Sequence, residues 1–335
     1  MARLFRLLCG LGLSAGLLVF IFRDVDVAQM TDKLSRIEPR YLLGYLASLA
    51  LMQTCRIFRW AALTRHLAPL SLLAHTRITS IGMALIILLP LRLGEFARPI
   101  LLGQEADIPI SSGVGAVAVE RTLDGLLVTI LFFLSLALVP EGVLVPLSLQ
   151  TAGYASLAVF SGAFIVIVAN LVAHQKLERL LFATLGKLSP KGTETIIQLL
   201  QSFTQGLRSL PNLQATCNVL FWTLSFWALQ AAGFWYVLEG FGWELPGIAA
   251  WLMMCTIVLA IMLPAGPGFL GTYQGGILLA LSLFGVSTTD AMAFGLVVYP
   301  LTLLFSVVLG GAFLLSSPES RKALLQPFAL QKAVG

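Results

Sequence analysis

The stretch Leu88-Leu89-Pro90-Leu91-Arg92-Leu93-Gly94-Glu95-Phe96-Ala97-Arg98-Pro99 sets two arginines and a glutamate among two prolines and a glycine, inside one of the most apolar parts of the chain. Broken backbone and ionised side chains both lose their water in a bilayer, so each is costly there. A segment that keeps both together either lies outside the membrane or uses them. Composition decides the setting, because 58% of the residues are hydrophobic, 11% are charged and the mean hydropathy is +0.92. Soluble domains carry roughly 25% charged residues. The 335 residues therefore read as one all-α polytopic integral membrane domain, residues 1–335, with no soluble catalytic domain expected.

The net charge of +5 does not point to nucleic acid, since the basic residues sit at the ends of apolar segments and read as cytoplasmic-side topology signals. Cys9, Cys55, Cys217 and Cys255 stand singly in or beside apolar runs, without a CxxC or a Cys/His cluster. Neither a disulfide framework nor a metal site or other cofactor is expected. His66, His75 and His174 fall in basic stretches read as loops, where a solvated or headgroup-contacting role is expected.

Six full spans are expected. Residues 7–22, preceded by Arg3 and Arg6, form the first, uncleaved because no small-x-small site follows. The next covers about 41–63 and holds Arg56 and Arg59, which are expected to snorkel from its cytoplasmic end. The third, about 113–138, carries Glu120, Arg121 and Asp124; the fourth is about 151–172. Residues 173–212 read as a cytoplasmic amphipathic linker. The fifth, about 213–238, holds Trp222, Trp227, Trp235 and Tyr236, part of which suits an interfacial belt, and the last is about 290–315.

Two apolar stretches are interrupted instead, at 78–102 and 246–285, and their halves are too short to cross a core of roughly 30 Å. Re-entrant helical hairpins accommodate both. The interruptions share a spelling, Leu89-Pro90-x-x-x-Gly94 and Leu263-Pro264-x-x-x-Gly268, and the second continues through Pro267, Gly271 and Gln274. Residues 41–138 and 213–315 then form two units of opposite orientation, the arrangement by which many transporters build a midplane site. Both termini are expected on the cytoplasmic side.

Two readings of the charged residues stay open. Arg92, Arg98 and Arg121 balance Glu95, Glu120 and Asp124, so mutual pairing could lock the first hairpin against the third span. Glu95 and Arg98, three apart, are expected to share a helix face, as are Glu120 and Asp124. Alternatively, Arg92 and Arg98 keep spare donors for an anionic headgroup, which guanidinium groups grip bidentately. In that reading Arg92, Glu95, Arg98, Glu120, Arg121, Asp124 and Gln274 bind the substrate, and none is catalytic.

The motifs Leu89-Pro90-x-Arg92-x-Gly94-Glu95-x-x-Arg98-Pro99, Glu120-Arg121-x-x-Asp124 and Pro264-x-x-Pro267-Gly268-x-x-Gly271-Thr272-Tyr273 resemble the lysylphosphatidylglycerol synthase transmembrane-region family, over most of the chain. That family includes the membrane half of the multiple peptide resistance factor, associated with flipping aminoacylated phosphatidylglycerol, and members linked to hopanoid or glycolipid transport. The resemblance implies a flippase-like lipid transport protein of a bacterial inner membrane, a stand-alone member without the aminoacyltransferase domain. Its implied partner is a membrane lipid with an anionic headgroup. A homodimer, and a separately encoded lipid-modifying enzyme for which this chain is the anchoring subunit, stay open as alternatives, as does an integral-membrane lipid transferase. Two departures stand out: many members have a glutamate at the place of Gln274 and an arginine near Tyr299-Pro300. Asp290, the nearest remaining acid, reads as a helix N-cap.

Overall fold

In the computed structural model residues 26–140, 143–185, 190–208, 210, 212–262 and 267–325 are described, and among them the chain forms helices and no strand. A chain this apolar must satisfy its backbone N–H and C=O groups internally, and helices do so segment by segment. The helices are α1 (Val27–Ser35), α2 (Pro39–Thr64), α3 (Leu72–Leu88), α4 (Ala97–Ala106), α5 (Ile110–Ala137), α6 (Leu147–Leu185), α7 (Pro190–Leu207), α8 (Leu213–Gly240), α9 (Ile248–Ile261), α10 (Thr272–Ser282), α11 (Thr288–Ser316) and α12 (Pro318–Leu325). The expected first span, residues 7–22, lies outside the described residues, as do Glu141 of the expected outer loop and residues 263–266, Pro264 among them.

Local sequence sets the boundaries. Asp26, Ser71, Asn212 and Ser287 cap α1, α3, α8 and α11 by accepting hydrogen bonds from first-turn N–H groups. Ser287, not Asp290, is thus the cap of α11. Asp290 sits in the first turn, where a carboxylate suits the helix dipole, and it receives the Ser287 hydroxyl and Lys33 of α1. Because Ser71 starts α3 six residues before the expected hairpin, His75 and Arg77 are helical rather than in a loop, and His75 is buried.

Helices α2, α6 (over Leu147–Ala173) and α11 are long and apolar enough to cross a membrane. Helices α5 and α8 have 28 residues each, and α5 carries Glu120, Arg121 and Asp124. The expected fourth span runs on unbroken to Leu185, and α7 packs on α5 rather than standing apart. Their crossing is tight, since a Cβ on Gly206 would lie 1.9 Å from the Ser112 carbonyl oxygen. Helix α6 turns Phe164, Ile165, Val166 and Val172 outward.

One order of elements occurs twice: a long helix, a short helix, a break, a short helix and a long helix. The first set is α2, α3, α4 and α5, the second α8, α9, α10 and α11, with α6 and α7 between. The leading helices of the two sets pack antiparallel. Gly44 and Gly240 admit the Tyr236 and Tyr41 rings at one end, and Phe58 stacks on Trp222 at 4.8 Å nearer the other. The main core lies here, around Tyr45, Met52, Phe234, Leu252 and Phe294.

Both breaks are short 3-10 segments. The first, Pro90–Phe96, begins where Pro90 can donate no backbone hydrogen bond to α3. Gly94 allows it to lie against α3, as a Cβ there would be 2.1 Å from the Leu85 carbonyl carbon. The second is Pro267–Phe269. Each break holds a non-glycine residue in the left-handed region, Arg92 at φ 58° and Phe269 at φ 58°. Such backbone costs of order 1–3 kcal/mol and concentrates at functional sites.

Candidate functional site

Three helices and the first break bring the charged residues together. Glu120 and Asp124, one turn apart on α5, face Arg59 of α2 and Arg98 at the start of α4. Arg59 bridges the carboxylates, donating through Nη1 to Asp124 Oδ1 at 2.7 Å and through Nη2 to Glu120 Oε1. Arg98 Nη1 donates to Glu120 Oε2 at 2.7 Å. Arg121 Nη2 reaches Glu120 Oε1 at 3.0 Å and Asp124 Oδ2 at 3.1 Å. Trp227 of α8 completes the shell, its Nε1 donating to Asp124 Oδ1 at 3.1 Å.

Arg59, Arg98 and Glu120 are only 2–3% exposed, a depth at which unpaired ions are prohibitive. Aromatic faces supply the remaining contact. The guanidinium carbon of Arg98 lies 4.6 Å from the Trp60 ring centroid, and those of Arg56 and Arg59 lie 4.7 and 5.4 Å from that of Phe226. Gly82 opens room for the stem of Arg98, whose Cγ is 2.4 Å from where a Cβ would stand.

A cavity of about 330 Å³ lies against this network, and both breaks face it. From the first come Arg92 and Glu95, partly exposed and 3.6 Å apart. From the second come Gly268 and Phe269, the Phe269 ring lying 5.4 Å beneath the Arg92 guanidinium carbon. Tyr299 of α11 donates to the Gly268 carbonyl at 2.9 Å, tying the second break to a long helix. Met83, Ile86, Ile87, Ile257 and Met262 give the cavity an apolar wall. Among the residues that line it, several guanidinium nitrogens are buried with no hydrogen-bond partner: Arg59 Nε, Arg92 Nε, Arg98 Nε and Nη2, and Arg121 Nε. The arrangement is a concave, mostly apolar chamber whose arginines keep unused donors, suited to an anion on an apolar stem.

Arg92, Glu95, Arg98, Glu120, Arg121 and Asp124, all singled out by the sequence, line this cavity. Glu95 and Arg98, expected to share a helix face, fall on different segments, because the 3-10 segment ends between them: Glu95 turns to Arg92 and Arg98 to Glu120. Gln274 is not among the cavity residues. Its Oε1 accepts the Gly271 N–H at 2.8 Å, and the side chain holds the start of α10. Arg59 does not snorkel but is the centre of the network, and Arg56 lines the cavity with it. Trp227 leaves the interfacial belt for Asp124, while Trp235 and Tyr236 stay exposed. Arg59, Arg56 and Trp227 are the residues that sequence reasoning left out of the site. The spacing did carry a sign for Arg59, which lies two helical turns from Met52 and four from Tyr45 on the buried face of α2.

A family model described as the lysylphosphatidylglycerol synthase TM region matches residues 7–310. No curated protein and no solved structure matches the chain.

Proposed function

This chain belongs to the lysylphosphatidylglycerol synthase transmembrane-region family, and on that premise we propose that it is a membrane lipid translocase that moves a phosphate-bearing lipid between leaflets of a bacterial inner membrane. Helices α2, α5, α6, α8 and α11 are five of its six spans, the sixth being the one the sequence puts at residues 7–22, outside the described residues. The pairs α3/α4 and α9/α10 re-enter from opposite faces, and both termini are cytoplasmic. Supporting the re-entrant reading, α3, α4, α9 and α10 have 17, 10, 14 and 11 residues, each under the roughly 20 a crossing needs. The chain also doubles back across the first break, bringing Arg77 near the start of α3 to Glu105 near the end of α4.

The observation that carries the proposal is the pair of unpartnered nitrogens, Nε and Nη2, on an Arg98 that is 3% exposed and lines the cavity between the breaks. A phosphate offers acceptors where these donors stand. Arg92 and Arg98 grip the headgroup; Glu95, Glu120, Arg121 and Asp124 shape the polar cleft while the acyl tails stay in lipid. Gln274 acts through the second break, whose Gly271 it holds.

The test is reconstitution of the full chain in phosphatidylcholine vesicles with a panel of tail-labelled lipids, followed by quenching of the outer leaflet. Wild type is expected to speed exchange of a phosphate-bearing lipid, with Arg92→Ala and Glu95→Ala slower by about tenfold. No activity on any lipid, with both variants like wild type, removes the proposal. Co-purification of a lipid-modifying enzyme that survives both substitutions would favour the anchoring-subunit reading instead.

A further inference from the structure

The cavity holds a charge imbalance that transport of a phosphate-bearing lipid does not by itself explain. Among the described residues five arginines line it, Arg56, Arg59, Arg92, Arg98 and Arg121, against the three carboxylates Glu95, Glu120 and Asp124. All four oxygens of Glu120 and Asp124 already receive donors, and Glu95 faces Arg92. Arg56 has no carboxylate partner among the described residues; its Nη1 donates to Gln53 Oε1 at 3.3 Å and its guanidinium lies on Phe226. Among the described residues of the wall, the buried nitrogens without a partner are all donors, and the buried oxygen without one is the Thr79 hydroxyl, which can donate too.

Resting on the lipid-transport reading, we infer that the headgroup this site takes is a phosphomonoester and that an amine-bearing headgroup is excluded. A monoester carries close to two negative charges at neutral pH and presents only acceptors, matching both the surplus of two arginines and the idle donors. A phosphodiester brings one negative charge and leaves one arginine uncompensated in a water-poor site. An aminoacylated headgroup adds an ammonium, for which Glu120 and Asp124 have no free oxygen and the wall offers only Glu95, already set beside Arg92 at 3.6 Å, and it meets the surplus of like charge.

The experiment compares tail-labelled phosphatidate, phosphatidylglycerol and lysylphosphatidylglycerol in phosphatidylcholine vesicles holding the full chain. Phosphatidate is expected to exchange about tenfold faster than phosphatidylglycerol, since one more charge contact in a poorly solvated site outweighs a single order of magnitude. Lysylphosphatidylglycerol is expected at the rate of empty vesicles. Acidification from about pH 8 to about pH 5 should erase the preference, because the second phosphate proton binds near pH 6, while phosphatidylglycerol exchange holds steady. Arg56→Gln removes a cation that no carboxylate holds and should bring the two rates together. A phosphatidate-to-phosphatidylglycerol ratio near one in wild type, or lysylphosphatidylglycerol moving faster than phosphatidate, overturns the inference and leaves lipid transport standing. No lipid moving above empty vesicles, with Arg98→Gln without effect, overturns the transport reading itself. Equal thermal stabilisation by millimolar inorganic phosphate and by phosphatidate, without lipid exchange, would assign the site to a soluble phosphate and overturn both.

Discussion

Glu120 receives Arg59 and Arg121 on one carboxylate oxygen and Arg98 on the other, so its charge is shared among two buried cations and one that is partly exposed. Glu120→Gln keeps the shape and removes the charge. Breaking a buried ion pair in this way costs about 3–5 kcal/mol, because the cations left behind have no water. The purified variant should unfold at clearly lower temperature, followed by tryptophan fluorescence in detergent; an unchanged midpoint would show that the network does not hold the fold. Glu95→Gln should behave oppositely. Its pair with Arg92 is 3.6 Å long and partly exposed, worth under about 1 kcal/mol, so stability should hold while lipid exchange falls. The difference between these glutamates was only partly legible in the sequence. The carboxylates on α5 and the arginines of the first break were found from their cost in apolar sequence. Their apparent balance of three against three was not the true count, because Arg56 and Arg59 look like ordinary helix-end cations. What reclassifies Arg59 is depth, which sequence expresses only through its place on the buried face of α2.

At the scale of elements, the two breaks are held in different ways. The first is pressed onto its own helix through Gly94, where a side chain would collide with the backbone at Leu85 and Ile86. Backbone cannot yield as a flexible side chain can, so Gly94→Ala should cost about 1–3 kcal/mol and shift Arg92 and Glu95. The expected result is a lower unfolding temperature together with slower lipid exchange. Gly162→Ala on α6, with open space at its Cβ, serves as the comparison and should be neutral or stabilising. A Gly94→Ala protein as stable and active as wild type would mean that the break does not need its close seat. The second break is held instead by Tyr299 on Gly268 and by Gln274 on Gly271. Gln274→Ala should therefore slow exchange of every lipid alike, without changing the ranking of headgroups, measured on the same vesicle panel. Proline and glycine announced both breaks in the sequence. In sequence His75 and Arg77 read as loop residues, which puts the start of α3 too late; with His75 buried and Arg77 paired with Glu105, both are helical.

For the whole molecule the decisive quantity is which face of the membrane each turn meets. The order of elements repeats, and α2 and α8 run antiparallel, so the two sets point in opposite directions wherever the bilayer lies. Hydropathy alone could reveal the two interruptions but not their depth, since two full crossings would leave the chain's end on the same side. The packing narrows this. The tips of both broken pairs meet across one cavity through Arg92 and Phe269, while Arg77 and Glu105 close the far end of the first pair. If the pairs re-enter, Leu70 and Asp107 flank the first on one side of the membrane, and Gly242 and Gly285 flank the second on the other. In a background with Cys9, Cys55, Cys217 and Cys255 replaced by serine, single cysteines at Leu70 and Asp107 should react with an impermeant maleimide only from the cytoplasmic face. Cysteines at Gly242 and Gly285 should react only from the opposite face, and one at Leu93 should react slowly from either until phosphatidate is withdrawn. Labelling of Leu93→Cys as fast as Gly242→Cys from the outer face would mean that α3 crosses completely. The cavity would then lie near a surface, where water screens its arginines and the charge selection argued for the headgroup loses its force.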